Sequence, residues 1–279
     1  MTKDSNLVFR IINELTYKED VNLFSALSLT SVVYNNINND FKLFISKKRV
    51  PNAKYPLLKY SLIIKKDKKS LFKRELAELI SNNFKLDCER TIKYFNNLKK
   101  VLKSLKYLIV DLEITTKTRA IIGVSTSLGK LIFDSGISFD PYMNSPYIPA
   151  SEIKGIIRSY IEDKFSIQDV NEIFGDTEKE GNVNFTDAYP VRIRNFLFVP
   201  DVITPQYNKR KSEADSEPKP IIHLAIAPGV TFRFLIYYKR EDVGKRICDT
   251  LPSIVTKGLG ARTSVGYSLF ELTGTEVVR

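Results

Sequence analysis

The stretch Leu108-Ile-Val-Asp-Leu-Glu-Ile-Thr-Thr116 decides the fold class, because the character of the chain changes there. Its apolar residues alternate and it is rich in β-formers, which predicts a strand. Upstream, apolar residues recur mainly at helical spacing over the first hundred residues. We therefore predict a basic, mainly helical N-terminal region over residues 1–106 and a second domain over residues 107–279.

Helices and strands alternate in the second domain. The predicted elements are a helix from about Ser151 to Lys164, a strand over Val183–Tyr189, a hairpin of Pro220–Ala227 and Val230–Tyr238 around Pro228-Gly229, a helix over Glu241–Val255 interrupted at Pro252, and a closing strand over Val265–Leu272. This order predicts an α+β, ferredoxin-like sheet with helices on one face. A polar excursion at about 204–219 has no periodicity, so we expect it to be functional or disordered.

Several elements are predicted in the N-terminal region. Residues Leu58–Ile64 suit a short strand, and Ser70 and Asp87 suit the N-caps of two helices. The second helix carries a predicted buried stripe of Cys88, Ile92, Phe95, Leu98, Leu102 and Leu105. Its remaining surface carries Lys93, Lys99, Lys100, Lys103 and Lys106. This cationic face either binds a ligand or is simply solvated.

The positive charge of the chain is concentrated near its start. The formal net charge is +11, and residues 1–110 hold 22 Lys/Arg against 10 Asp/Glu, whereas residues 111–279 are nearly balanced. Such a concentration favours a polyanionic partner, nucleic acid above all, although a solvated lysine-rich surface is the alternative. The chain has no apolar run of membrane-span length and no signal-peptide pattern, and its two cysteines lack metal spacing. We expect a cytoplasmic protein without membrane contact or disulfides.

The residues argue against several kinds of enzyme site. Gly123–Leu131 resembles a P-loop, but the spacing of its glycines is wrong and Leu131 replaces the magnesium-binding Ser/Thr. Gly258–Thr263 is not a dinucleotide fingerprint, because Thr263 replaces the last glycine. The single histidine, His223, is predicted to be a structural strand residue. The carboxylate pairs lack a distinctive spacing, so we predict no catalytic residue, metal or cofactor; metal-dependent cleavage remains the alternative. Those pairs are Asp111 with Glu113, Asp134 with Asp140, and Glu162 with Asp163.

Two segments are candidates for binding a nucleic-acid backbone. In Tyr147–Tyr160, Ser151 lies at the helix start, Lys154 and Arg158 share the polar face, and Gly155 between them permits close approach of another backbone. In Thr256–Tyr267, three glycines and two cations form a loop whose amides suit phosphates. The alternatives are a capped helix with exposed cations and a plain connector.

These two segments resemble the signatures of the RAMP superfamily of CRISPR proteins. They are Ile148-Pro-Ala-Ser-Glu-Ile-Lys-Gly-Ile-Ile-Arg158 and Gly258-Leu-Gly-Ala-Arg-Thr-Ser-Val-Gly-Tyr267; Ile173-Phe-Gly-Asp176 and Val183–Pro190 fit the same pattern. Asp201–Tyr207 and Pro218–Leu224 are similar to RAMP subunits of type III-B Cmr complexes. The resemblance spans about residues 107–273. The chain departs from the family pattern at Ala150, Glu152 and Ser268.

The resemblance implies an RNA-recognition-like core that caps one end of a stack of related subunits along a CRISPR RNA. It implies a structural, non-catalytic role toward the 3′ end of the guide, with CRISPR RNA, target RNA and other Cmr-complex subunits as partners. The expected RNA-binding residues are Ser151, Lys154, Gly155, Arg158, Lys257, Gly258, Gly260, Arg262 and Gly266. The excursion would supply thumb or partner contacts through Tyr207, Lys209, Arg210 and Lys211. Two alternatives stay open: an RNA endonuclease that processes the guide or cleaves the target, and an adaptor that binds only protein.

Overall fold

The structure, a computed structural model, describes residues 22–23, 69–123, 128, 133–163, 166–204 and 220–278. The described residues fall into two compact units. One comprises those within 1–84, 128–136 and 200–224, and the other comprises those within 85–127, 137–199 and 225–279. The predicted domain boundary at residues 106/107 lies inside the second unit. The predicted N-terminal helices before residue 69 and the strand over Leu58–Ile64 fall outside the description, apart from residues 22–23.

An antiparallel sheet forms the centre of the second unit. Its strands are β1 (Leu108–Thr116), β4 (Val183–Phe185), β5 (Tyr189–Ile193), β8 (Val230–Tyr238) and β9 (Phe270–Val278). The order is β4-β8-β1-β9, with β5 also pairing with β8. In this register Leu108 faces Tyr238 and Ile109 faces Val278. The two short strands β2 (Phe139–Asp140) and β3 (Ser145–Pro146) form a separate ribbon.

The helix α2 (Cys88–Ser104) packs on one face of this sheet. Asp87 caps its start, as predicted, by accepting hydrogen bonds from the amides of Glu89 and Arg90. Its inward side joins a core cluster consisting of Phe95, Leu102, Ile109, Tyr189, Val191 and Leu235. The β1 residue Ile109 and the β8 residue Leu235 therefore point toward α2.

The remaining helices of this unit belong to the opposite face. They are α3 (Ala150–Glu162), α4 (Ile167–Phe174), α5 (Glu241–Cys248) and α6 (Leu251–Lys257). Gly244 of α5 lies so close to Tyr238 that a Cβ would approach the ring to 1.9 Å. Tyr238 alternates along β8 with the side chains facing α2, which places α5 on the other side. Phe174 of α4 stacks on Phe185 of β4, at 6.3 Å between ring centroids.

The first unit contains the helix α1 (Lys69–Asn83). Lys73 pairs with Asp134 at 2.5 Å, and the other oxygen of this carboxylate accepts the amide of Ile222 at 3.0 Å. Most residues of the strands β6 (Phe198–Ile203) and β7 (Ile221–Ile226) also belong to this unit, and the two strands pair in a second two-stranded sheet. No described helix is long and apolar enough to cross a membrane.

Several local predictions were wrong. The segments around Pro228-Gly229 are strands but not a hairpin, because β7 pairs with β6 and β8 joins the main sheet. Ser70 lies within α1 instead of capping it. In α2, Ile92 and Leu105 are 37% and 57% exposed. The closing strand starts at Phe270, because left-handed backbone at Gly266 and Ser268 precedes it.

Candidate nucleic-acid interface

The helix α3 presents the first predicted group of cations. Ile153, Ile157 and Ile161 are buried, so the isoleucine stripe orients the helix as predicted. Lys154 and Arg158 lie on the partly exposed side, one turn apart. Gly155 is exposed between them, and a Cβ added there would meet nothing within 4 Å. The described chain thus leaves open the space that the close-approach prediction requires.

Both cations line an open pocket of about 420 Å³ between α3 and the segment that follows α4. Arg158 donates to the carbonyls of Gly175 (3.1 Å) and of the Asn171 side chain (3.2 Å). It also pairs with Glu162 at 2.7 Å. These contacts hold the guanidinium against one wall and leave part of its donor capacity unused. No described carboxylate forms an ion pair with Lys154.

The start of α3 is less suited to an anion than the sequence indicated. Ser151 is exposed and lies within the first turn, since the N-cap is Pro149. The amide of Ala150 already donates to the Asp187 carboxylate at 2.7 Å. Glu152 accepts the amide of Gly123 at 3.2 Å. Burial raises the pKa of Glu152, and the hydrogen bond from the Gly123 amide opposes that effect only in part. Glu152, which departs from the family pattern, therefore makes a hydrogen bond within the protein.

The glycine loop after α6 is shaped mainly by its own packing. Gly258 adopts φ +97°, and a Cβ there would lie 2.7 Å from Thr263 and 2.8 Å from the Ser268 carbonyl. The Gly258 amide donates to the Val255 carbonyl in α6, and the Gly266 amide donates to the Thr263 carbonyl within the loop. Gly260 is equally crowded, with a Cβ position 2.7 Å from the Ile121 carbonyl. Only those glycine amides that do not already donate a hydrogen bond within the protein could therefore fulfil the predicted contact with a phosphate.

Ser268 ties this loop to the strand extension beside it. Its buried hydroxyl accepts the Ile121 amide at 3.0 Å and donates to the Ala261 carbonyl at 3.1 Å. The residue has φ +56°, a region where a glycine would be unstrained. Compared with the glycine usual in the family, Ser268 has a less favourable backbone conformation, but its hydroxyl adds hydrogen bonds that join the two segments.

The two predicted segments meet in the fold. The Lys257 ammonium lies 4.5 Å from the ring centroid of Tyr160, so the end of α6 contacts the last turn of α3. Lys257 and Arg262 are exposed, and Arg262 has the left-handed backbone φ +62°. Sequence reasoning missed Lys117 and Arg119, whose backbones pair with Leu269 and Ser268 along the loop. These two cations are far from the glycine loop in the sequence, so their position beside it can be recognised only from the folded structure. Tyr207, Lys209, Arg210 and Lys211 lie outside the described residues.

Most of the groups considered for catalysis are engaged in structural contacts. Asp111 binds Arg233 and Lys99, Glu113 binds Arg192, and Asp140 accepts the amides of Tyr142 and Met143. His223 is a buried residue of β7, which confirms its prediction as a strand residue. Among the described residues, no group of three or more histidine, cysteine or acidic side chains is arranged to hold a metal ion.

Comparison with known proteins identifies the family. Residues 113–271 match the RAMP superfamily, which is more than half of the chain. The chain belongs to the RAMP superfamily. This RAMP protein is 71% identical, over 97% of its length and 96% of the relative, to CRISPR system CMR subunit Cmr6 of Saccharolobus solfataricus.

Solved structures include a chain similar to this RAMP protein. A chain in the cryo-EM structure of the type III-B Cmr-beta complex bound to cognate target RNA is 60% identical to it. The match covers 98% of this chain and 99% of that chain, with a TM-score of 0.81. The likeness to that chain therefore extends beyond residues 107–273, over which the two signatures predicted a family resemblance.

Proposed function

We propose that this chain is a non-catalytic, RNA-backbone-binding subunit of a type III-B Cmr effector complex in antiviral defence. The observation that carries the proposal is its 60% identity, over nearly its full length, to a chain of a Cmr-beta complex bound to target RNA. In this role it caps the protein stack toward the 3′ end of the CRISPR RNA and helps to hold the guide–target duplex. It acts in the cytoplasm.

The core of this subunit is ferredoxin-like. In chain order its main elements are β1, α3, β4 with β5, β8, the helices α5 and α6, and β9. In the sheet order β4-β8-β1-β9, the central strands are β1 and β8, which are the first and third of the four strand positions along the chain. That arrangement supports an RNA-recognition-like core with α3 to α6 on one face.

The RNA contact is made through backbone phosphates. Lys154, Arg158 and Lys257 lie on elements that meet through Tyr160. Lysine and arginine at an open surface neutralise phosphates without reading bases. Base pairing between guide and target then supplies the sequence specificity, as in other RNA-guided complexes.

The non-catalytic part of the proposal rests on how the acidic groups are used. Asp111 is 6% exposed and is bound by two cations. The Glu162 and Glu113 carboxylates each bind an arginine. A carboxylate committed to an arginine is a poor ligand for a divalent cation, because binding the metal would break that pair.

Affinity purification of the tagged chain from its source cells tests the assembly. We expect mass spectrometry to recover the other Cmr-complex subunits and RNA sequencing to recover CRISPR RNA. A preparation that contains neither would refute the proposal. Labelled RNA incubated with the isolated chain and Mg²⁺ or Mn²⁺ should remain intact; cleavage abolished by a single Asp→Ala substitution would instead establish the endonuclease.

A further inference from the structure

We propose that helix α2 carries a second RNA-backbone contact, on the face of the sheet opposite α3. The surface consists of Arg90, Lys93, Asn97 and Lys100, and we call it the basic ridge. This inference rests on the proposed function, because it assigns a further surface of the same protein to RNA.

The orientation of α2 is fixed by buried contacts. Thr91, Phe95 and Leu102 face the sheet. Lys99 also turns inward, where its ammonium binds Asp111 at 2.7 Å and Glu276 at 2.8 Å. Because one lysine of the helix is committed to the sheet, the remaining polar stripe is directed away from it.

The basic ridge lies on the side of α2 that is directed away from the sheet. Its members are spaced by three or four residues, so they form a single line along the helix. All of them are exposed. No described carboxylate forms an ion pair with its three cations. The line is about 15 Å long, which matches about four stacked nucleotides at about 3.4 Å each.

Charge complementarity identifies the occupant as a polyanion. The three cations and the Asn97 amide supply donors in a row, as a repeating phosphate backbone requires. Tyr94, Val101 and Leu105 flank the row and are 41%, 54% and 57% exposed. The Tyr94 ring packs against Phe95 and Tyr189, at 5.1 and 6.0 Å between ring centroids, so the inference rests on the cations and not on base stacking.

The ridge and the α3 group cannot grip the same few nucleotides, because α2 and α5 cover opposite faces of the sheet and α3 contacts α6 beside α5. The ridge therefore holds a separate segment of RNA. Two weak contacts on one chain raise the effective concentration of RNA at each, so affinity exceeds that of either.

The test compares salt-dependent RNA binding by full-length variants. R90A/K93A/K100A removes the ridge cations, and R194A/K239A/K245A removes three exposed cations elsewhere as a matched control. The probe is a single-stranded 30-mer of uridine. Removing three phosphate contacts should lower affinity on the order of a hundredfold at 0.1 M salt and reduce the slope of log K against log salt by about 2. The control variant should retain a higher RNA affinity and a steeper slope of log K against log salt than the ridge variant.

A charge-conserving variant separates folding from binding. R90K/K93R/K100R should bind RNA as the wild type does and should melt at the same temperature. If the ridge variant binds no more weakly than the control variant, the ridge is not an RNA contact. Unchanged RNA affinity with loss of the other Cmr-complex subunits on affinity purification would identify a protein interface instead and would also overturn the inference. The proposed function fails separately, when the wild-type chain recovers neither subunits nor guide.

Discussion

The substitution Asp111→Asn should strongly destabilise the sheet unit. Asp111 is 6% exposed and accepts from Arg233 at 2.8 and 2.6 Å and from Lys99 at 2.7 Å. An amide would leave the buried Arg233 guanidinium without its counter-charge, whereas Lys99 would keep its pair with Glu276. Removing one partner of a buried pair costs about 3–5 kcal/mol. Solvent screening reduces this figure little, because the Arg233 side chain is only 10% exposed.

Glu113→Gln is the matched control for this substitution. Glu113 lies two residues further along β1, on the same face, and binds Arg192 at 2.5 Å. The two side chains are 31% and 65% exposed, so the loss should be about 0.2–1 kcal/mol. Denaturant unfolding followed by circular dichroism measures both free energies. If Asp111→Asn costs no more than Glu113→Gln, the buried pair does not stabilise the fold as argued.

The stabilisation that the Asp111 carboxylate gives the wild type should depend on pH. Burial alone would raise the pKa of Asp111, but the hydrogen bonds from Arg233 and Lys99 outweigh it and hold the pKa below its usual range. Because the folded-state pKa is the lower one, the stabilisation is complete above the unfolded-state value and is lost as pH falls through the folded-state value. The wild type should therefore approach the stability of Asp111→Asn below about pH 4.

Three further predictions concern the RNA surface and the excursion. Gly155→Ala should raise the free energy of unfolding by about 0.5–1 kcal/mol, because the added Cβ meets nothing; if it leaves RNA affinity unchanged, no backbone approaches there. Lys154→Ala and Arg262→Ala should each weaken binding equally for RNAs of unrelated sequence, and a base-dependent loss measured by filter binding would reveal a base contact. Deleting Asn208–Glu217 should preserve the thermal transition while lowering recovery of partner subunits, and wild-type recovery would move the docking surface elsewhere.

Local sequence signals predicted individual elements well. The strand β1 occupies the predicted residues 108–116, and the Asp87 cap depends only on neighbouring amides. The isoleucine stripe placed α3 within two residues at each end. These features depend on side-chain spacing and on groups only a few residues away, so one sequence suffices to predict them.

Strand pairs and ion pairs between residues distant in the chain could not be predicted from the sequence. The turn at Pro228-Gly229 predicts a hairpin, yet β8 is paired on both sides by β1, β4 and β5. Lys99 was predicted to belong to the cationic face of α2, but Asp111 and Glu276 bind it from two strands. A helix periodicity cannot reveal a counter-charge that is distant in the chain. The same limit explains why Lys117 and Arg119 were missed beside the glycine loop.

The position of α2 bears on how a RAMP subunit of this kind can recognise RNA. Sheet-binding RNA-recognition modules stack bases on aromatic residues of the open sheet face. Here α2 covers Ile109 and Asp111 on the face opposite α4 and α5. Further along β1 the same face presents Thr115, whose hydroxyl lies 2.9 Å from that of Thr231 and 3.0 Å from that of Thr273. Hydroxyls bonded to one another offer no stacking platform. Under the proposed function, RNA contact would therefore fall on helices and loops rich in cations, which bind phosphates without regard to sequence, as suits a subunit whose specificity comes from a paired guide.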